Sequence, residues 1–204
     1  MSETSAGARR WDATYDARGP TVSWYQAEPR VSLELIEALR VPRDAAVLDV
    51  GGGTSFLADR LLERGFSDVT VLELSSTALE LVRRRLPDLP VRLLHQDLMS
   101  WKPARRYDLW HDRAVFHFLV EETDRRQYLE RLDAAAAPGG AVIIGTFASD
   151  GPETCSGLPV ARFSANDLAA TLGERFELLH AHREEHTTPR GAVQPFTWVA
   201  GRMA

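Results

Sequence analysis

One cysteine, Cys155, stands in 204 residues. That scarcity excludes an intrachain disulfide framework and a cysteine-rich zinc site, and no metal is expected. It points to a reducing, cytoplasmic compartment. No run of about 18 apolar residues exists, so no membrane-spanning helix and no membrane partner are expected. The opening "MSETSAGARRW" lacks the apolar core of a secretory signal. Basic residues are not in excess: 24 Lys and Arg face 29 Asp and Glu, for a net charge of −5. Nucleic acid is therefore not expected as a partner, because binding a phosphate backbone needs a basic footprint. Internal repeats and low-complexity tracts are absent as well.

What remains is an ordinary globular composition, 44% hydrophobic and 26% charged, at a length that suits one domain. Residues up to about Ser5 look disordered. The following "ARRWDATYDARGPTVSWYQAEP" carries aromatic residues and the turn signals Gly19 and Pro20, without sustained periodicity. "EPRVSLELIEAL" then places Val31, Leu35, Ile36 and Leu39 on one helical face. From Ala45 onward strands and helices alternate. Strands are expected in "AAVLDV", "DVTVLEL", "VRLLHQD", "YDLWHD" and "AVIIGTF". Helices are expected in "SFLADRLLERG", "STALELVRRRL", "TDRRQYLERLDAAAAPGG" (stopping at Pro138-Gly139-Gly140) and "SANDLAATLG", which opens with a Ser164/Asp167 capping box. Continuous apolar strands joined by helices indicate an α/β chain with a mostly parallel sheet covered on both faces. The last two strands, "FELLHAHREEH" and "QPFTWVAGR", have only "TPRGAV" between them and are expected to close one edge as an antiparallel hairpin.

Ligands of such sheets bind beyond the carboxyl ends of the strands. Three glycines, Gly51 to Gly53, stand there, between the first strand and the first helix. They suit a tight turn or a backbone that approaches a ligand closely. The spacing is not G-x-G-x-x-G, and no Walker A lysine follows, so a dinucleotide site and a P-loop are both disfavoured. Glu73 ends the second strand, where a carboxylate can accept both ribose hydroxyls of an adenosine. Asp97 ends the third, where it can accept an adenine amino group while the Leu98 N–H meets a ring nitrogen.

The ordered set "VLDVGGGTS", "VTVLELS", "LLHQDL", "YDLWHDRAVFHFL" and "APGGAVIIGTF" resembles the class I S-adenosylmethionine-dependent methyltransferases. The resemblance covers Leu35 to Phe147 strongly. It implies a Rossmann-like, seven-stranded, mostly parallel sheet with an antiparallel C-terminal hairpin and helices on both faces. It also implies S-adenosyl-L-methionine as cofactor and S-adenosyl-L-homocysteine as product. The N-terminal "RRWDATYDARGPTVSWYQ" is similar to a W-D-x-x-Y…W-Y segment of one subgroup. That subgroup includes bacterial enzymes and resembles eukaryotic lysine methyltransferases of elongation factor 1A or citrate synthase, in which the segment folds over the cofactor.

Carried across, residues 1–27 form an aromatic lid segment and residues 28–204 a single methyltransferase domain. Trp11, Tyr15, Trp24, Gly51, Gly53, Ser55, Glu73, Leu74, Asp97, Leu98 and Arg113 would contact the cofactor. Methyl transfer from a sulfonium is an in-line displacement whose leaving group is already activated, so the protein chiefly aligns the reactants and excludes water. A general base is optional. Asp112 and His117 are the candidates, with His111 and Phe147 as substrate contacts. "TFASDGPETCSGLPVARF" is expected as a flexible lid. The expected acceptor is a small molecule methylated on oxygen, nitrogen or sulfur, with a protein lysine as the alternative. A nicotinamide-dependent reductase would instead bind NAD and not S-adenosylmethionine.

Overall fold

The computed structural model describes residues 3–18, 22–88 and 90–204. Gly19 and Pro20, expected in a turn, lie outside the described residues. The first helix, α1, runs Glu3–Arg18, which corrects the expectation of disorder up to Ser5 followed by aperiodic chain. Its apolar side consists essentially of Trp11 and Tyr15, one turn apart, too narrow a stripe to show as amphipathic periodicity. Docking holds it instead. The Asp12 carboxylate accepts from the Ser75 hydroxyl at 2.6 Å and the Thr77 N–H at 3.1 Å. Ser75 in turn caps the next helix but two through the Ala78 N–H, at 3.1 Å.

Helix α2 (Arg30–Ala38) precedes β1 (Ala46–Val50), α3 (Leu57–Glu63), β2 (Asp68–Glu73), α4 (Ser76–Arg85), β3 (Val91–His95) and β4 (Tyr107–Arg113). A short 3-10 turn at Phe116–Phe118 leads to α5 (Glu122–Ala135) and β5 (Ala136–Phe147). Beyond them lie β6 (Thr154–Cys155), β7 (Leu158–Pro159), α6 (Ala165–Leu172), β8 (Phe176–Thr187) and β9 (Val193–Met203). The seven-stranded sheet has the order β3-β2-β1-β4-β5-β9-β8. Its first five strands run parallel, while β9 pairs antiparallel with both β5 and β8. The expected sheet, with its antiparallel edge hairpin, is the observed one.

Alternation along each strand divides the core. Val47, Val69, Leu109, Ile143 and Trp198 pack under α2, α3 and α4, whereas Leu48, Leu72, Trp110 and Ile144 meet Tyr128, Leu132 and Leu168 of α5 and α6. The expected capping box is present: the Ser164 hydroxyl accepts from the Asp167 N–H at 3.2 Å and donates to its carboxylate at 2.6 Å.

Two further boundaries differ from expectation. Helix α5 stops at Ala135 rather than at Pro138. Proline disfavours helical backbone in the residue before it, so the chain extends early. Residues 137–140 bulge out between the Tyr107–Ala136 and Leu109–Ala141 pairs. The stretch after β5, expected as a flexible lid, contains the ordered β6–β7 hairpin. It is fastened by the Ala161 N–H to the His117 carbonyl and by the Phe163 N–H to the Phe147 carbonyl, at 2.8 and 3.1 Å. Among the described residues, no helix is long and apolar enough to cross a membrane.

Candidate functional site

A cavity of about 250 Å³ opens beyond the carboxyl ends of β1, β2, β3 and β4. The glycine loop forms part of its wall, and each glycine there has a steric reason. Gly51 and Gly53 adopt φ of 58° and 53°, the left-handed region. A Cβ at Gly52 would stand 2.5 Å from the Asp49 carboxylate. Alanine at position 53 is expected to cost about 1–2 kcal/mol from backbone conformation alone. Its methyl would also collide with the Tyr15 hydroxyl, 2.2 Å from the ideal Cβ position. The expected result is a lowered thermal midpoint together with lost ligand affinity; unchanged values in both would remove the steric account.

Glu73 is buried at the end of β2. Its two carboxylate oxygens accept one N–H each, from Gly53 at 2.9 Å and Ser75 at 2.8 Å. Each oxygen thus keeps acceptor capacity at the cavity wall. Burial pushes the carboxyl up to about 6, against the pull of the Ser75 and Gly53 N–H groups. Asp97 accepts from the Met99 N–H at 3.0 Å, a turn-making bond, and also lines the cavity, as do Leu74 and Leu98. Ser55 accepts from the Leu57 N–H at 3.1 Å at the start of α3.

Residues along β4 point to alternate faces, and this separates the candidates. His111 and Arg113 face the cavity side. His111 Nδ1 lies 2.8 Å from the Asp49 carboxylate and Nε2 lies 2.9 Å from the Ser32 hydroxyl; where Nδ1–H donates to the carboxylate, Nε2 accepts the hydroxyl. This Asp49–His111–Ser32 chain had no sequence signal, since Ser32 arrives on α2 through tertiary packing. Asp112 points the other way and is 0% exposed. It accepts from the Tyr128 hydroxyl at 2.7 Å and from the Val115 and Phe116 N–H groups at 2.9 and 3.1 Å. Burial pushes its carboxyl up to about 6.

His117, also 0% exposed, packs between Phe118 and Phe147 with ring centroids 4.6 and 4.7 Å away. Its ring nitrogens have no hydrogen-bond partner among the described residues. Burial, then the Arg113 charge, lowers it to about 3. Neither Asp112 nor His117 lines the cavity, nor does Phe147. Asp112, His117 and Phe147, expected as catalytic and substrate-contact residues, are thus placed in packing and loop support, away from the cavity lining.

The cavity is roofed from three directions. Trp11 and Tyr15 come from α1, Trp24 from the segment after it, and Cys155 and Leu158 from the β6–β7 hairpin. Trp11 meets Trp24 and Phe118 edge-on at 5.9 and 5.4 Å, and Tyr15 meets Trp24 at 6.1 Å. The segment is pinned from below: Arg113 donates to the Trp24 carbonyl at 2.8 Å, His186 to the Ser23 carbonyl at 2.7 Å, and Gln26 to Glu184 at 2.6 Å. Burial raises the Cys155 thiol to about 11, so it is no thiolate nucleophile at neutral pH.

Residues 47–140 match the family described as a methyltransferase domain. An uncharacterized methyltransferase of Mycobacterium tuberculosis is 32% identical over 114 residues, which are 55% of this chain and 56% of that protein. The match thus spans about half the length of such curated relatives. EEF1A lysine methyltransferase 2 of Danio rerio is 26% identical over 153 residues, covering 66% of this chain and 65% of that one. In fold, the chain is similar to the solved 1,6-didemethyltoxoflavin-N1-methyltransferase of Burkholderia thailandensis, which holds 1,6-didemethyltoxoflavin and S-adenosylhomocysteine. The TM-score is 0.69 and the identity 20%, over 100% of this chain and 92% of that one. Residues 47–140 thus carry a methyltransferase domain, and in sheet order, glycine loop and strand-end carboxylates the chain is similar to the class I S-adenosylmethionine-dependent methyltransferases.

Proposed function

We propose that the chain transfers a methyl group from S-adenosylmethionine to oxygen, nitrogen or sulfur of a small molecule. The observation that carries this is the enclosure of the cavity by three separate elements, which suits an acceptor that can be shut in. The wall fits the cofactor. Glu73 keeps acceptor capacity on both buried oxygens for a ribose diol, and Asp97 with Leu98 suits adenine. The Gly51–Gly53 backbone adds no side chains of its own beside the methionine part. When bound, the cofactor supplies an activated methyl on a sulfonium. The chain's own work is to orient the acceptor and exclude water. Trp11, Tyr15 and Trp24 give apolar cover and ring faces that favour a cation. The Asp49–His111–Ser32 chain fixes the floor beneath the glycine loop.

In this reading residues 1–27 are a lid on a catalytic body formed by residues 28–204. Removing residues 1–24 is expected to leave a cooperative thermal transition while abolishing most turnover; a fully active truncation would remove the lid from the account. Likeness to the Danio rerio protein favours a protein lysine as a second reading, which requires the roof to open around a lysine side chain. The deciding experiment measures S-adenosylhomocysteine release with a panel of small phenols, amines and thiols against lysine-bearing peptides. Turnover with small acceptors alone is expected, and turnover with peptides alone would overturn the reading.

A further inference from the structure

We propose that the acceptor is a small ring-bearing carboxylic acid and that Arg113 receives its carboxylate. This deepens, and rests on, the methyl-transfer reading above. Arg113 leaves the end of β4, and its contacts lie on the β9 and β8 side of the site, opposite β1, β2 and β3, whose ends suit an adenosine. Its guanidinium covers the Phe196 ring, with Cζ 4.7 Å from the centroid. Nη1 donates to the Trp24 carbonyl at 2.8 Å. Nε and Nη2 are buried and have no hydrogen-bond partner among the described residues.

Those two atoms form one edge of the guanidinium, with parallel N–H groups, and that fork matches the two oxygens of a carboxylate. Among the described residues no side chain hydrogen-bonds to the fork, and the two atoms are covered by packing that an acceptor would have to displace. Glu184 is the carboxylate acting most strongly on Arg113, but its oxygens accept from Gln26 at 2.6 Å and the Trp198 indole at 2.9 Å rather than from the fork. Burial lowers the Arg113 guanidinium to about 10, so it remains a cation at neutral pH. A desolvated cation with two idle donors beside a cavity is a costly arrangement unless an anion completes it. The cavity that Arg113 shares is also lined by Trp11, Trp24, Phe118 and Leu158, which are apolar and largely aromatic. They suit a flat ring attached to the anion.

The amino-acid part of the cofactor carries a carboxylate too, so the test separates the two sources. Calorimetry first titrates S-adenosylhomocysteine and 5′-methylthioadenosine, which lacks the amino-acid part, into the full chain and into Arg113→Met. Salicylate and anthranilate, each against its neutral amide, are then titrated into protein saturated with S-adenosylhomocysteine. The inference expects at least one acid to bind about tenfold or more tighter than its amide. It expects Arg113→Met to erase that preference and to change S-adenosylhomocysteine and 5′-methylthioadenosine affinity by the same factor, since losing the Trp24 anchor affects both ligands alike.

Loss of S-adenosylhomocysteine affinity in the variant, with methylthioadenosine unaffected, would assign the fork to the cofactor and overturn the inference. Equal binding of acid and amide, or binding of neither, would overturn it as well. These outcomes leave the methyl-transfer reading standing, whereas failure of the unsubstituted chain to bind S-adenosylhomocysteine removes that reading first. Should Arg113→Met not fold, the acid–amide comparison on the unsubstituted chain and Arg113→Lys, which keeps the charge without the fork, decide the matter.

Discussion

Glu73→Ala is expected to weaken S-adenosylhomocysteine binding by about 1.5–3 kcal/mol, the scale of charge-assisted hydrogen bonds, or roughly 10- to 150-fold in Kd. Two losses combine. The acceptors offered to a ribose diol disappear, and so does the carboxylate that ties the Gly53 N–H to β2. Calorimetry reads the change directly, and unchanged affinity would refute the ribose assignment.

The same carboxylate predicts a pH dependence. Its free-state value of about 6 lies above the ordinary range because burial disfavours the charge. Hydrogen-bond donors from a ligand favour the ionised form. Affinity should therefore be level above pH 6 and fall below it, by about tenfold per pH unit at most. Glu73→Gln should bind weakly throughout and lose the Glu73 part of this dependence. An affinity that rises on acidification would contradict the sign.

Asp112→Ala is expected to lower folding stability by about 3 kcal/mol, the scale for opening a buried polar network. Ligand affinity should change little in the molecules that remain folded. Three donors lose their acceptor: the Tyr128 hydroxyl and two N–H groups that order the turn after β4. Burial, which raises this carboxyl to about 6, makes its charge costly to hold, so the neutral isostere Asp112→Asn should lose less than alanine. A carboxyl raised on folding binds protons more readily in the native state. Its contribution therefore favours folding as pH falls from about 6 toward the unfolded value of 3.8. The Asp112→Asn difference in urea midpoint should widen over that window. An active, fully stable Asp112→Ala chain would show that the network carries no stability.

Much of the architecture was legible in the sequence because the signals were local. "AAVLDV", "AVIIGTF" and the stretches between them are apolar runs cut by glycine and proline, and these became the parallel strands of the expected sheet. The glycine loop and the strand-end carboxylates followed from position alone, since ligands gather where parallel strands end. The failures share a cause, which is that tertiary contacts decide. Among its described side chains, helix α1 turns Trp11 and Tyr15 as its large apolar groups to the interior, and it is held by Asp12 on the end of α4. The β6–β7 hairpin is two residues a side, too short for a period-2 pattern.

Asp112 and His117 attracted catalytic roles because they are titratable and near a strand end. Yet alternation along β4 already turns Asp112 to the face opposite His111 and Arg113, a signal the sequence contained. The Arg113 surroundings had no such signal, for Phe196 and Glu184 come from strands about seventy or more residues later in the chain.

One measurement tests the central claim most directly: calorimetric titration of the chain with S-adenosylhomocysteine, with NAD as the control ligand. The account predicts saturable binding on the order of micromolar Kd, with one site per chain, and no heat with NAD. Binding of NAD in its place, or of neither ligand, would contradict it, leaving the three glycines after β1 as a turn or as the cradle of another molecule.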